Sequence, residues 1–410
     1  MLMEQKLVDS ESKKIKKELN KIVRDVDKET QEDIYKKFKV EKAKRLGHLP
    51  VTNKVRIYYI FSSISFLQFY IPLVIHGNSL NFQAVFIIRE NIKTYTCPIQ
   101  KPENAKLLTK YAKKYDIEII SIRKVSSITG IVFLVDGDVY GPGNDNRKES
   151  VLYRINLTRA IKISLTEHLN FKWAFRTVIP FIHYYIFPNP KYLLDDKFKS
   201  KKVLYLGNTK FDNIITKEEA YAKFNLNKSK KYVLILFPKE IFQYDYKAMV
   251  NLYDRLRKLG YSIIVKDRPK KLYFSSIPVE FQGDKLIVSE LYPNETLQLL
   301  RVAELCIVFS SSAVEETIMM KVPVIDFQID KRKIIRLTFL EDTKVLKRIK
   351  KIPLLKTNEL ADIINGLEKK DSGYFDKIIR ENLFTHKSTS AVLYDLIVNG
   401  LGFKPSFSKQ

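Results

Sequence analysis

Apolar positions along this chain follow two rhythms, and the change between them comes near residue 54. Before it, Ile15, Leu19, Ile22 and Val26 recur among lysines and glutamates, spaced as the seam of an amphipathic helix over residues 1 to 46. Lys13, Lys14, Lys16, Lys17 and Lys21 surround that seam, and Gly47 and Pro50 end it. Such a helix either packs on the body or on a second copy, or lies on anionic lipid through its basic face. From Val55 the texture changes to short apolar runs alternating with amphipathic stretches. VRIYYIF reads as a strand, SSIS as a turn and FLQFYIPLVIHG as a helix ending near Gly77. FQAVFIIRE is a second strand, KPENAKLLTKYAKKYD a helix with Pro102 near its start, and IEIISI and GIVFLVDGD two more strands. After the polar loop Gly141 to Ser150, KISLTEHLNFKW reads as strand then loop, and FIHYYIFPNPKYLLD as strand, proline-bounded turn and helix start.

A second alternating series begins after the charged KFKSKK. Its strands are KVLYLG, KYVLILFP, SIIVKDRPK, KLIVSE, LCIVFS and VPVIDF; its helices are YKAMVNLYDRLRKLGY, NETLQLLRVAE and SAVEETIMMK. Strand–helix alternation implies parallel sheets. The expected fold is therefore α/β, with two Rossmann-like doubly wound domains facing a cleft. The expected divisions are a basic helical extension (1–54), a first domain (55–199), a second domain (200–372) and a C-terminal helical tail (373–410). Ligands of such folds sit at the carboxyl ends of the strands, in the cleft.

Composition narrows the partners. The 410 residues are 45% hydrophobic and 12% aromatic, enough for real cores, and the formal net charge is +26. That balance favours anionic partners, namely phosphorylated ligands, acidic membrane surfaces or nucleic acid. No RNA-binding or zinc-finger signature accompanies it, so no nucleic-acid partner is expected. Two cysteines, far apart, and five dispersed histidines give no metal-ligand spacing, and the cysteine usage fits a reducing, cytoplasmic compartment. Ile57 to Ile75 carries no charge and is long enough to cross a bilayer. It nevertheless holds Ser62, Ser63, Ser65, Gln68 and Pro72, and divides into strand, turn and helix.

The chemistry concentrates at strand ends. In FSSSAVEETIMMKVPVIDF the strand should end at Ser310, and Ser312 to Glu315 fits a capping box opening the next helix. The same turn can hold a phosphate through small hydroxyl residues and backbone N–H groups, with a glutamate one turn on to accept ribose hydroxyls. LGNTKFD, Leu206 to Asp212, can be a Gly/Asn turn capping the element after it. Lys266 and Arg268, at the end of SIIVKDRPK, could neutralise a departing diphosphate. In the first half, Asp136 and Asp138 in VDGD and Glu167 and His168 in SLTEHLNF lie after strand ends. An imidazole titrates near neutrality, which suits His168 to deprotonate an acceptor hydroxyl.

Ser310-Ser311-Ser312-Ala313-Val314-Glu315-Glu316, followed by Val322-Pro323-Val324-Ile325, resembles the nucleotide-binding turn of GT-B glycosyltransferases. It is most similar to the UDP-N-acetylglucosamine 2-epimerase and CDP-glycerol glycerophosphotransferase branches. Gly207-Asn208-Thr209-Lys210-Phe211-Asp212 is similar to the Gly-Asn-Thr-x-x-Asp element of that superfamily, and Val265 to Pro269 to its Lys-x-His-Pro segment, with Arg268 in place of His. The resemblance implies a metal-independent, cofactor-free glycosyltransferase or polymer transferase. It would move a sugar from a nucleotide-activated donor to a glycan or lipid-linked acceptor, as a cytoplasmic protein able to touch a membrane through its N-terminal helix. By resemblance, Ser310 and Ser311 would hold phosphate and Glu316 the ribose, with Ser312, Glu315, Lys266, Arg268, Gly207 and Asn208 completing the nucleotide and phosphate site. His168, with Glu167 and Asp138, would serve the acceptor. Phe309 stands where the epimerases carry aspartate, which favours transfer over epimerisation. An epimerase on the same fold, and a non-catalytic binding protein derived from it, are the alternative readings.

Overall fold

The computed structural model describes residues 55–61, 64–88, 102–121, 128–135, 160–166, 182–187, 202–212, 214–238, 245–267, 277–287, 294–309, 311, 313–328, 350–353, 359–368 and 388–403. The N-terminal helix expected over residues 1 to 46 and the loop Gly141 to Ser150 lie outside the described residues.

Two parallel sheets carry the fold. The first contains β1 (Arg56–Phe61), β2 (Gln83–Ile88), β3 (Ile117–Ser121), β4 (Ile131–Val135), β5 (Ile161–Leu165), β6 (Tyr184–Phe187) and β7 (Lys202–Tyr205), in the order 3-2-1-4-5-6-7. The second contains β8 (Lys231–Leu236), β9 (Tyr261–Lys266), β10 (Lys285–Ile287), β11 (Ala303–Val308), β12 (Val324–Gln328) and β13 (Lys350–Pro353), in the order 10-9-8-11-12-13. Both begin with the doubly wound order in which the chain builds outward from its first strand, then returns to that strand's other side. The reversal lies between β1 and β4 in one sheet and between β8 and β11 in the other.

The central strands β1, β4, β8 and β11 are mostly apolar because both faces are covered. In the second sheet, Tyr232, Leu234, Leu236, Cys306 and Val308 point to one core, which includes Tyr221, Leu299, Val314 and Ile318. Val233, Ile235, Phe237, Leu305, Ile307 and Phe309 point to the opposite core, with Met249, Leu252, Tyr253, Phe281 and Leu360. The flanking helices are α1 (Leu67–Ser79), α2 (Pro102–Lys114), α3 (Lys217–Lys223), α4 (Tyr246–Lys258), α5 (Glu295–Leu299), α6 (Val314–Met319), α7 (Leu360–Glu368) and α8 (Thr389–Asp395). The long uncharged stretch from Ile57 resolves into β1, a short 3₁₀ turn (Ile64–Phe66) and α1. Among the described residues, no helix is long and apolar enough to cross a membrane.

The topology differs from the sequence reading in one respect. KVLYLG forms a strand as expected, yet β7 pairs with β6 at the far edge of the first sheet instead of opening the second series. Strand length and hydrophobicity mark a strand but carry no information about its pairing partner, and the charged run before it imitates a linker. The tail likewise returns to the first sheet. Leu393, Tyr394 and Ile397 join the core formed by β1, α1 and β2, and the Tyr394 hydroxyl lies 3.0 Å from that of Tyr59. Gly77 makes this docking possible, since a Cβ there would fall 2.1 Å from the Tyr394 hydroxyl oxygen.

Candidate functional site

The turn after β11 stands at the reversal point of the second sheet, at the carboxyl ends of its strands, where ligands of open α/β sheets bind. Phe309, the residue just after β11, is fully buried, its ring 5.9 Å from that of Phe327. Strand alternation sends Phe309 into the core with α4 and α7, so no polar side chain leaves the turn at this position. Ser311 is buried, and its Oγ accepts from the Ala313 amide at 3.3 Å. This bond uses one hydroxyl lone pair and leaves the O–H as a donor. Helix α6 begins at Val314, with Ala313 as its N-cap in helical backbone geometry and without a side-chain cap bond. The capping-box expectation is therefore corrected: the helix starts later, and the Ser311 hydroxyl folds the turn. Within α6, Glu315 is buried and Glu316 is partly exposed.

Gly207 to Asp212 forms a knot of internal bonds. Gly207 adopts a φ of 93°, open to glycine at little cost, and turns the chain out of β7. The Asn208 amide donates to the Thr166 carbonyl at 3.3 Å, and its side-chain oxygen accepts from the Lys210 amide at 3.0 Å, capping a 3₁₀ turn (Thr209–Phe211). The Thr209 hydroxyl donates to the Phe69 carbonyl of α1 at 2.8 Å. The two carboxylate oxygens of Asp212 accept from the Thr389 and Ser390 amides at 2.9 and 2.7 Å, capping α8 from across the fold. Burial pushes the Asp212 carboxyl up, and these amides hold it back.

Lys210, in the middle of this knot, is the residue that reaches the second sheet's turn. Its Nζ lies 3.7 Å from Glu316 Oε1 and 5.0 Å from the centre of the Phe211 ring. The Asn294 amide nitrogen, at the N-cap of α5, is 3.4 Å from the same Glu316 oxygen and 3.4 Å from Gln68 Oε1. Gln68 is the second residue of α1, just beyond the carboxyl end of β1 and hence beside the first sheet's reversal point. The reversal points of the two sheets are thus joined by the chain of contacts Gln68–Asn294–Glu316–Lys210. Beneath it, the buried Cys306 thiol is pushed well above its usual range, chiefly by burial, with the Glu316 carboxylate adding to the effect.

Lys266 ends β9 and is buried. It shares the carboxyl edge with the β11 turn but lies beyond the intervening β8, roughly 10 Å away at the usual interstrand spacing. Arg268, Ser310 and Ser312, and the first-domain candidates Asp136, Asp138, Glu167 and His168, lie outside the described residues. The structure therefore brings together Glu316, Ser311 and the Gly207–Asn208 turn, the last through Lys210. Sequence reasoning missed Gln68, Asn294 and the role of Lys210. Asn294 could have been found as an N-cap preceding Glu295, whereas nothing local marks Gln68. Among the described residues, no three His, Cys, Asp or Glu side chains converge as a metal site would require.

The sequence matches no protein-family model and none of the curated proteins. Solved structures do match its fold. A variant of the wall teichoic acid polymerase TagF superposes with a TM-score of 0.55 at 14% identity, covering 86% of this chain and 90% of its own. A UDP-GlcNAc 2-epimerase from Neisseria meningitidis, solved with UDP-GlcNAc bound, gives 0.52 at 13% identity, covering 84% of this chain and 100% of its own. The glycotransferase of kitacinnamycin gives 0.52 at 9% identity, covering 86% of this chain and all of its own. The chain has a GT-B glycosyltransferase-like fold.

Proposed function

We propose that this protein is a glycosyltransferase or related polymer transferase of GT-B architecture. It takes a nucleotide-activated sugar on its second sheet and passes the sugar to a glycan or lipid-linked acceptor held by the first. The observation that carries the reading is the placement of Glu316. Its carboxylate stands at the reversal point of the second sheet, one short turn from Ser311, and contacts residues from the opposite reversal point through Asn294. A carboxylate so placed accepts both hydroxyls of a ribose, while the Ser310–Ser312 turn receives the diphosphate. Lys266 and Arg268 supply positive charge to the departing nucleotide, since preorganised cations are most effective where negative charge develops. His168, next to Glu167 in sequence, is the candidate to deprotonate the acceptor, with Asp138 as a further first-half candidate. The surplus of basic residues and the N-terminal helix suit an anionic or membrane-borne acceptor.

The test is nucleotide binding. UDP, CDP and GDP are compared by thermal shift, since a ligand that binds only the folded protein raises its Tm. At least one should stabilise the wild type, and Glu316→Ala should abolish that shift without changing the ligand-free Tm by more than a few degrees. An unchanged shift in Glu316→Ala would remove this site from consideration. The epimerase reading retains one supporting observation, the fold shared with an epimerase solved with UDP-GlcNAc. Incubation with UDP-GlcNAc alone separates the two: an epimerase yields free UDP and a 2-epimerised sugar without acceptor, and a transferase does not.

A further inference from the structure

Three of the four polar side chains between the reversal points serve the fourth. Glu316 Oε1 is reached by both the Lys210 ammonium and the Asn294 amide, and among the described residues no partner reaches Oε2. A carboxylate contacted through one oxygen is biased in its orientation, with its other oxygen presented. The grip originates outside the second sheet: Lys210 follows β7 of the first sheet, and Gln68 begins α1 and touches the same Asn294 amide nitrogen. Lys210 is itself tightly set. Its backbone N–H is bonded to Asn208, its side chain is 8% exposed, and its ammonium lies between Glu316 and the Phe211 ring. Asn208, Thr209 and Asp212 are committed to the Thr166 carbonyl, the Phe69 carbonyl and the amides of α8, so the turn that carries Lys210 is anchored on three sides. The distances to Glu316 Oε1 exceed the about 2.7–2.9 Å of a compact charge-assisted bond, which leaves the carboxylate room to close on a ligand.

We infer that Lys210 is a positioning residue for donor recognition. It holds the Glu316 carboxylate from the first domain's side, with Gln68 and Asn294, so that ribose recognition requires both sheets together. The inference rests on the proposed reading of Glu316 as the ribose acceptor. A lysine that merely stabilises the fold would affect every ligand alike when removed. One that orients Glu316 affects the ribose hydroxyls in particular.

The experiment measures dissociation constants of the full-length protein for UDP, CDP and GDP and for their 2′-deoxy forms, by calorimetry, with ligand-free Tm as the check on folding. Wild type should prefer the ribonucleotide by about tenfold, the loss expected for one charge-assisted hydrogen bond. Lys210→Met should weaken ribonucleotide binding about tenfold and bring the preference close to one, and Lys210→Arg should retain most of both. Gln68→Leu, remote from the ammonium, should erode the preference in the same direction and serves if Lys210→Met does not fold. Lys210→Met or Gln68→Leu proteins that keep the wild-type preference, or lose affinity equally for both sugar forms, overturn the inference while the nucleotide site stands. Failure of wild type to bind any of these nucleotides, or unaltered binding by Glu316→Ala, overturns the nucleotide reading and this inference with it.

Discussion

At the scale of single residues, the decisive position is Phe309, where the resembling epimerases carry aspartate. Its burial and its stacking on Phe327 make it part of the core beneath α4 and α7. Restoring an acid here should not restore an epimerase. Phe309→Asp removes a large buried ring and places a carboxylate in an apolar core, and loss of the ring alone costs about 3–5 kcal/mol. The expected outcome in urea unfolding is a loss of at least roughly 3 kcal/mol, or no folded protein; a folded variant of near wild-type stability would mean that the position faces the cleft. The sequence showed the substitution but not where it points, because direction in a strand that is apolar on both faces has no polar alternation to reveal it. The SSSAVEE segment was similarly half legible. Its spacing indicated a helix start and a candidate carboxylate, yet the one S-x-x-E match, Ser312 to Glu315, does not mark the cap, because the helix is capped at Ala313 without a side-chain bond. Lys210 was concealed by composition: in a lysine-rich chain, one more lysine beside Asn208 gives no signal, and its importance comes from a residue more than a hundred positions away.

Elements were the most legible level, since each follows from local periodicity. The amphipathic pattern of α4 and the apolar runs of β8 and β11 fall where the sequence indicates. One strand contains a polar exception with a measurable consequence. Lys162, within β5, is buried, and its backbone is fixed on both sides by His183: the Lys162 amide donates to His183 Nδ1 and its carbonyl accepts from the His183 amide, each at 3.0 Å. Burial lowers the Lys162 ammonium from the ordinary 10.5 to about 8. The sign follows directly. Between these values the unfolded chain binds a proton that the folded chain refuses, so this group makes stability rise with pH from about 8 to about 10.5. Below about 8 both states are protonated and the penalty is constant. Lys162→Met removes the titrating group, so its stability advantage over wild type should be largest near pH 7.5. By this linkage the advantage should shrink by roughly 2 kcal/mol near pH 10. Urea midpoints of the two proteins at both pH values supply the comparison; an advantage independent of pH would mean that the ammonium keeps its ordinary affinity for protons.

At the scale of the whole molecule, the chain does not simply build one sheet and then the other. Strand β7 and helix α8 both belong with the first sheet, so the segment carrying Lys210 and the helix α8 are fixed to the same body, and Asp212 joins them. Sequence reasoning captured the two-sheet architecture because alternation is local, but it could not assign these pieces because pairing is not. Charge is a property of the whole molecule that the sequence gives completely. A net charge of +26 on 410 residues, from 72 Lys and Arg against 46 Asp and Glu, leaves 26 cations in excess of the acids, and the resulting net repulsion opposes compactness. Repulsion among exposed charges is screened by salt, with a Debye length falling from about 30 Å at 0.01 M to about 8 Å at 0.15 M. The Lys210–Glu316 pair, with side chains 8% and 14% exposed, is screened much less. Raising NaCl from about 0.01 to about 0.15 M should therefore raise Tm by a few degrees, because screening removes more repulsion than attraction. Sodium sulfate at equal ionic strength should do at least as much, since exclusion of sulfate from the surface adds to screening. A Tm that falls with NaCl would mean that attractive ion pairs outweigh the net repulsion. The basic surplus would then be dispersed into local partnerships instead of forming a field able to draw an anionic acceptor towards the cleft.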